Sequence, residues 1–252
     1  MSALTIPSRY CGPPSSGNGG WIAGALAALL AGPSAEARAG WPAIRVSLRL
    51  PPPLETELSV REAEPDVQAL HDDRVVAQAE LANSGLVEVP AVDLATARAA
   101  EASYAGLVRH PFATCFSCGP AREPGDGLRI FPGEVAPGRV AASWTPDPRV
   151  LDPELAAEQA GWLPVTWAAV DCVGGWSCDL IGRPMVLGQI TARVDALPAP
   201  GEPHVLVGEH RGDEGRKTFT ASTLYDRRGQ VVACAQHVWI TVDPGTFGPS
   251  PR

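Results

Sequence analysis

Hydrophobic and polar positions fall into two kinds of segment along this chain. Trp21 to Gly32 (WIAGALAALLAG) is an unbroken apolar run of 12 residues and reads as a short buried helix. Arg45-Val46-Ser47-Leu48-Arg49-Leu50 alternates polar and apolar side chains, the pattern of a strand with one face buried. Further strands are expected at Val75 to Leu81, Leu128 to Phe131, Val186 to Val194 and Gln230 to Val242. Asp72-Asp73 and Asp226-Arg227-Arg228-Gly229 read as hairpin turns, in which Asp bonds the local backbone and Gly takes positive φ.

The pattern repeats. Gly19-Gly20-Trp21 recurs as Gly174-Gly175-Trp176 at an offset of 155 (174 − 19), and in each copy the tripeptide is read as the entry to a short apolar, helix-like segment. An alternating segment ending in a proline-rich turn recurs as well, Ile44 to Leu50 with Pro51-Pro52-Pro53 against Leu187 to Leu197 with Pro198-Ala199-Pro200. The third match sets Leu70 to Ala77 against Leu224 to Ala233. The middle match has a shorter offset, which an extra loop from Gly32 to Gly40 would absorb. Each copy therefore reads as one buried helix followed by several strands. A single helix on an antiparallel sheet is buried only if the sheet curls around it, which gives an α+β layer, and two such units then pair through their sheets.

This duplicated order of helix and sheet resembles the double-hotdog proteins, in which two tandem hotdog units in one chain mimic the usual hotdog dimer. The resemblance implies residues 1–100 as the first half, 101–135 as a linker carrying a CxxC pair, and 136–252 as the second half. It also implies an acyl-CoA thioesterase-like activity, with non-catalytic acyl-CoA or lipid binding and enoyl hydration as alternatives. Hydratase-like hotdogs pair their Asp with a His about five residues on. Trp176 stands there in this chain, which disfavours hydration.

Composition narrows the classes. The chain has 252 residues, 45% of them hydrophobic and 19% charged, enough for a sizeable core without disulfides. A net charge of −8 with no basic block argues against nucleic acid as a partner. The 12-residue apolar run is shorter than the ~20 residues of a membrane-spanning helix. A signal peptide ending near Ala35-Glu36-Ala37 is disfavoured by the Pro-, Gly- and Ser-rich residues before the run. Six cysteines in a chain this long read as reduced thiols of a cytoplasmic protein. No cofactor is expected, an acyl thioester is the expected small-molecule substrate, and a homodimer of double-hotdog chains is compatible with the fold.

Asp171 is the only acid between Leu163 and Cys178. A carboxylate in such surroundings is either a cap bonding the amides of Val173 or Gly174, or a base or water-holder. Gly19-Gly20 and Gly174-Gly175 read either as close backbone approach to a ligand carbonyl near a helix start or as close packing of elements. Asn18 could cap the first helix or bind a carbonyl, and Ser16 matches Asp171 in the first copy. Thioesterases of the resembled type hold their water with an Asp on the helix, a Ser or Thr and a Gln from nearby strands, which implies Gln189 or Thr191 and Gln236. Taken singly, each of these also fits a solvent-facing strand position. Trp21, Trp167 and Trp176 are candidate walls of an acyl pocket, and Arg129, Arg193 and Arg216 candidates for CoA phosphates. Cys115 and Cys118 form a lone CxxC whose remaining metal ligands would have to come from His110, Cys11, Cys172 or Cys178. None of these lies at a standard spacing, so the favoured reading is a linker turn whose cysteines pack as small apolar groups.

Overall fold

The structure is a computed structural model and describes residues 3–31, 40–63, 65–83, 85–152 and 161–247. The loop expected at Gly32 to Gly40 and the tripeptide Ala35-Glu36-Ala37 lie outside the described residues, apart from Gly40.

Two helices form the centre. The first, α1 (Gly19–Ala31), is buried from Gly20 through Ala27. The third, α3 (Trp162–Gly175), is buried along all of its residues. Each is apolar around most of its circumference, as a helix enclosed on several sides must be. Pro164 is accommodated because it lies in the first turn of α3, where an N–H would have no partner within the helix.

The helices run antiparallel, with the start of α1 against the end of α3, and they approach closely because of two glycines one turn apart. A Cβ on Gly20 would sit 2.6 Å from Asp171 Cβ and 2.8 Å from Ala168 Cα, and one on Gly24 would sit 2.6 Å from Pro164 Cα. Any side chain at either position would push the helices apart.

A single antiparallel sheet wraps this pair. Its strands are β1 (Ala3–Thr5), β2 (Trp41–Leu48), β3 (Glu57–Ala63), β4 (Asp66–His71), β5 (Arg74–Leu81), β6 (Gly133–Ala136), β7 (Arg139–Trp144), β8 (Met185–Val194), β9 (His204–Glu214), β10 (Lys217–Tyr225) and β11 (Val231–Thr241). They lie in the order β1-β3-β4-β5-β2-β8-β11-β10-β9-β7-β6. The sequence β3-β4-β5-β2 is mirrored by β9-β10-β11-β8, and the halves join where β2 pairs with β8, Val46 opposite Ile190. This is the tandem hotdog, an α+β fold in which each half wraps a central helix. The β4–β5 hairpin turns on Asp72 and Asp73, both at positive φ (48° and 60°). The β10–β11 turn uses Asp226, which accepts the Arg228 and Gln230 amides, and Gly229 at φ 76°.

Two expectations are corrected. Gly19-Gly20 opens α1 whereas Gly174-Gly175 closes α3, so the two tripeptides are not equivalent and Ser16 is not the counterpart of Asp171. Leu128 to Phe131 is not a strand. It is an irregular segment, with Arg129 at a positive φ of 53°, tied to the chain before it by Leu128 N–H to Phe116 O and Ile130 N–H to Ser117 O.

The connection between the halves covers two surfaces. Val89 and the short helix α2 (Leu94–Ala100) lie on the outer face of the second half's sheet, where Val89, Ala97, Ala141, Val207 and Ala221 form a small second core. Further on, Phe112, Cys115, Phe116 and Cys118 join the main core. Among the described residues no helix is long and apolar enough to cross a membrane.

Candidate functional site

Where the start of α1 meets the end of α3, a cavity of about 390 Å³ opens. Leu48, Phe112, Trp176, Leu180, Leu187 and Ile240 give it an apolar wall, and Asn18, Gly19, Asp171 and a group of cysteines supply its polar atoms. The proline-rich turn at Pro51-Pro52 and Arg49, an exposed residue, complete the lining.

Asp171 is 2% exposed. Its Oδ2 accepts the Gly20 N–H at 2.9 Å, across the helix pair, while Oδ1 is buried without a hydrogen-bond partner. Burial pushes this carboxyl up to about 8; the Gly20 N–H opposes the shift and the neighbouring Cys115 adds to it. Asp171 therefore does not cap its own helix. It is held by the first turn of the other one, and the favourable end of the α1 dipole faces it.

Asn18 caps α1, its Oδ1 accepting the Trp21 N–H at 2.9 Å. With Gly20 donating to Asp171 and Trp21 to Asn18, Gly19 carries the remaining amide of this turn, and its backbone lines the cavity. A Cβ at Gly19 would meet Leu187 and Leu48 at 2.9 and 3.1 Å, so a side chain there would intrude on the cavity wall. The two glycines differ in place: Gly19 borders the cavity, and Gly20 permits the close helix crossing.

The second glycine pair is purely a packing device. A Cβ on Gly174 would lie 2.6 Å from His237 Nδ1 and from Thr220 Oγ1, and one on Gly175 would lie 3.0 Å from the Trp239 ring. At the end of a helix the exposed backbone groups are carbonyls, which cannot stabilise a developing oxyanion.

Gln189, Thr191 and Gln236 do not join Asp171. Ile190, Ala192 and Val194 of β8 point into the helix-filled core, so the alternating Gln189 and Thr191 occupy the outer face. Gln236 pairs opposite Thr191 on that same face. The three line a separate cavity of about 360 Å³ with Arg45, Arg211 and Phe219, and Gln189 Nε2 donates to Ser47 Oγ at 2.9 Å. The pleat phase was available in the sequence, since the apolar alternation of β8 assigns its polar residues to the other side.

Of the three tryptophans, Trp176 lines the cavity. Trp21 stacks on Tyr10 with ring centroids 4.5 Å apart, and Trp167 is 1% exposed in the core. Arg193 is paired with Asp195 and Glu88, Arg216 bonds the Thr241 carbonyl, and Arg129 packs over Phe131. None of these arginines lines the cavity.

The CxxC is not an isolated turn. Cys115, Cys118 and Cys172 bring their sulfurs within 4.8 Å of one another, and His110 Nε2 lies 3.4 Å from Cys118 Sγ. Spacing along the chain could not single out Cys172, because α3 brings it in from the other half. All six cysteines are free thiols.

No protein-family model matches the chain, and no curated protein matches it. Solved structures do. A putative thioesterase II from Thermobifida fusca aligns over 96% of this chain and 92% of its own, at 15% identity and TM-score 0.58. A tesB protein from Mycobacterium avium subs paratuberculosis aligns over 96% and 92%, at 13% identity and TM-score 0.57. A hot dog fold protein of unknown function from Alicyclobacillus acidocaldarius aligns over 96% and 93%, at 14% identity and TM-score 0.56. At such identities the likeness shows the fold, and it shows it over both halves together.

Proposed function

We propose that this chain hydrolyses an acyl thioester in the cavity between the start of α1 and the end of α3. The observation that carries this reading is Asp171, a buried carboxylate with one oxygen fixed by Gly20 and the other unpaired, beside an apolar space large enough for an acyl chain. The acyl group lies against Leu48, Leu180 and Leu187. Its carbonyl oxygen meets the Gly19 amide, where the α1 dipole favours developing negative charge. In its ionised form, which a value raised to about 8 places on the alkaline side of neutrality, Asp171 accepts through Oδ1 a hydrogen bond from the attacking water and orients it. As the water oxygen adds to the carbonyl carbon its proton passes to the Asp171 carboxylate, and as the C–S bond breaks that proton passes to the departing sulfur, so that the acid and the free thiol leave. Arg49, exposed on the cavity lining, is the basic side chain placed to meet phosphates of a CoA carrier. The likeness to the putative thioesterase II of Thermobifida fusca supports the same chemistry.

The test incubates purified protein with acyl-CoAs of graded chain length and follows thiol release, for wild type and Asp171→Asn. Release by the wild type and its collapse in the variant support hydrolysis. Tight acyl-CoA binding with no release would make this a binding protein instead.

A further inference from the structure

We propose that Cys115, Cys118 and Cys172 form a three-thiolate zinc site in the wall of the cavity, with His110 as a hydrogen-bond donor to the Cys118 sulfur. The site needs no assumption about thioester hydrolysis.

Geometry is the first support. A tetrahedral centre with Zn–S bonds of about 2.3 Å has S···S edges of about 3.8 Å. Cys115 and Cys172 are 3.7 Å apart at sulfur, and all three sulfurs fall within 4.8 Å of one another. The ligands come from two directions, two from the connection between the halves and one from the last turn of α3. A metal here would fasten that connection to the helix pair.

The surroundings are the second support, because they consist of donors aimed at sulfur. Asn18 Nδ2 approaches Cys115 Sγ at 3.7 Å and Cys172 Sγ at 4.0 Å while donating to Ser117 Oγ at 3.2 Å. Trp176 Nε1 is buried beside Cys118 without a hydrogen-bond partner of its own. His110 Nδ1 accepts the Phe112 N–H at 2.9 Å, so the neutral ring carries its proton on Nε2 and presents it to Cys118 at 3.4 Å. Three N–H groups converging on sulfur suit thiolates, which accept strongly, better than thiols, which have protons of their own to place. Three thiolates this close in an apolar interior repel one another unless a cation lies between them. Thiolates take Cu(I), zinc and the iron of iron–sulfur clusters, and of these zinc suits a tetrahedral site of three cysteines with one open position. With His110 committed to Phe112 through Nδ1, the fourth position is left to water or to a ligand in the cavity, which all three cysteines line.

The test is elemental analysis of the full chain purified without added chelator, followed by chelation and Co²⁺ titration under reducing conditions. Stoichiometric zinc is expected, and Co²⁺ should give intense visible bands with a near-ultraviolet thiolate charge-transfer band. Cys172→Ser should lose the zinc and the thiolate charge-transfer band with it, and the control Cys178→Ser should keep both. His110→Ala should keep the metal with a shifted charge-transfer band. Chelation should lower the melting temperature of the wild type. A folded wild-type chain that carries no zinc and develops no charge-transfer band would overturn the proposal. Full zinc retention in Cys172→Ser would overturn the ligand set, and loss of zinc in His110→Ala would overturn the assignment of His110 as donor. Because metal content and spectra are read without substrate, this proposal can fail while hydrolysis stands, and the reverse.

Discussion

Gly24→Ala tests the geometry on which the whole centre rests. In an isolated helix this substitution stabilises, by about 1 kcal/mol, because alanine loses less backbone freedom on folding than glycine. In this protein the new Cβ would lie 2.6 Å from Pro164 Cα, 2.9 Å from Trp167 Cβ and 3.0 Å from Trp167 Cγ. The nearest of these is backbone, within a helix buried along its whole length, so no rotamer change relieves the clash and α1 must move away from α3. Overpacking of a dense core costs typically about 1–3 kcal/mol, and a clash with backbone belongs at or above the upper end. Setting about 3 kcal/mol against the propensity gain of about 1 leaves a net loss of about 2 kcal/mol, a fall of roughly 4–8 °C in melting temperature for a chain of this length. Urea unfolding at constant m reads the change directly, and Leu29→Ala, at a position on α1 that is 42% exposed, is the control expected to stay within about 0.5 kcal/mol of wild type. If Gly24→Ala is as stable as wild type or more so, propensity is acting alone and the close crossing is wrong.

His237 should contribute a loss of stability in mild acid, opposed by the raised Asp171, because burial pushes its ring down to about 4 from an ordinary value of 6.5. The unfolded chain takes up the proton first, so the contribution is intact above pH 6.5 and is lost as pH falls toward 4, by up to ~3 kcal/mol; in urea midpoints measured across that window, His237→Leu should lose this part of the slope. Leu180→Trp, on the cavity wall, should raise KM for long acyl chains more than for short ones in the thiol-release assay. Equal effects at every chain length would place the acyl group elsewhere.

Much of the fold is legible in the chain because strand alternation and turn chemistry are local. Arg45 to Leu50 announces β2, and Asp72-Asp73 and Gly229 announce the two matching hairpins. The repeated Gly-Gly-Trp misled for a physical reason. A Gly-Gly-Trp tripeptide does not say whether it opens or closes a helix, and glycine serves equally at a helix start that borders a cavity and at a helix end that packs on a sheet. What distinguishes the pairs is Gly24, one turn after Gly20, which marks a helix crossing; nothing comparable surrounds Gly174. Asp171 stood out as the lone acid of an apolar helix. Its pairing with Gly20 did not, because that contact is made between the two helices and across the pseudo-twofold. Cys172 joined Cys115 and Cys118 for the same reason, through tertiary structure that no spacing rule encodes.

The two cavities lie on opposite faces of the sheet, and comparing one residue from each tests the central claim most directly. Asp171→Asn keeps the side chain's shape but removes the carboxylate, and Gln236→Ala empties a position on the outer face. With one acyl-CoA substrate, turnover should fall at least ~100-fold in Asp171→Asn and stay within about threefold of wild type in Gln236→Ala, the range of a surface change remote from the site. Turnover that survives in Asp171→Asn and collapses in Gln236→Ala would move the chemistry to the other face and contradict the account.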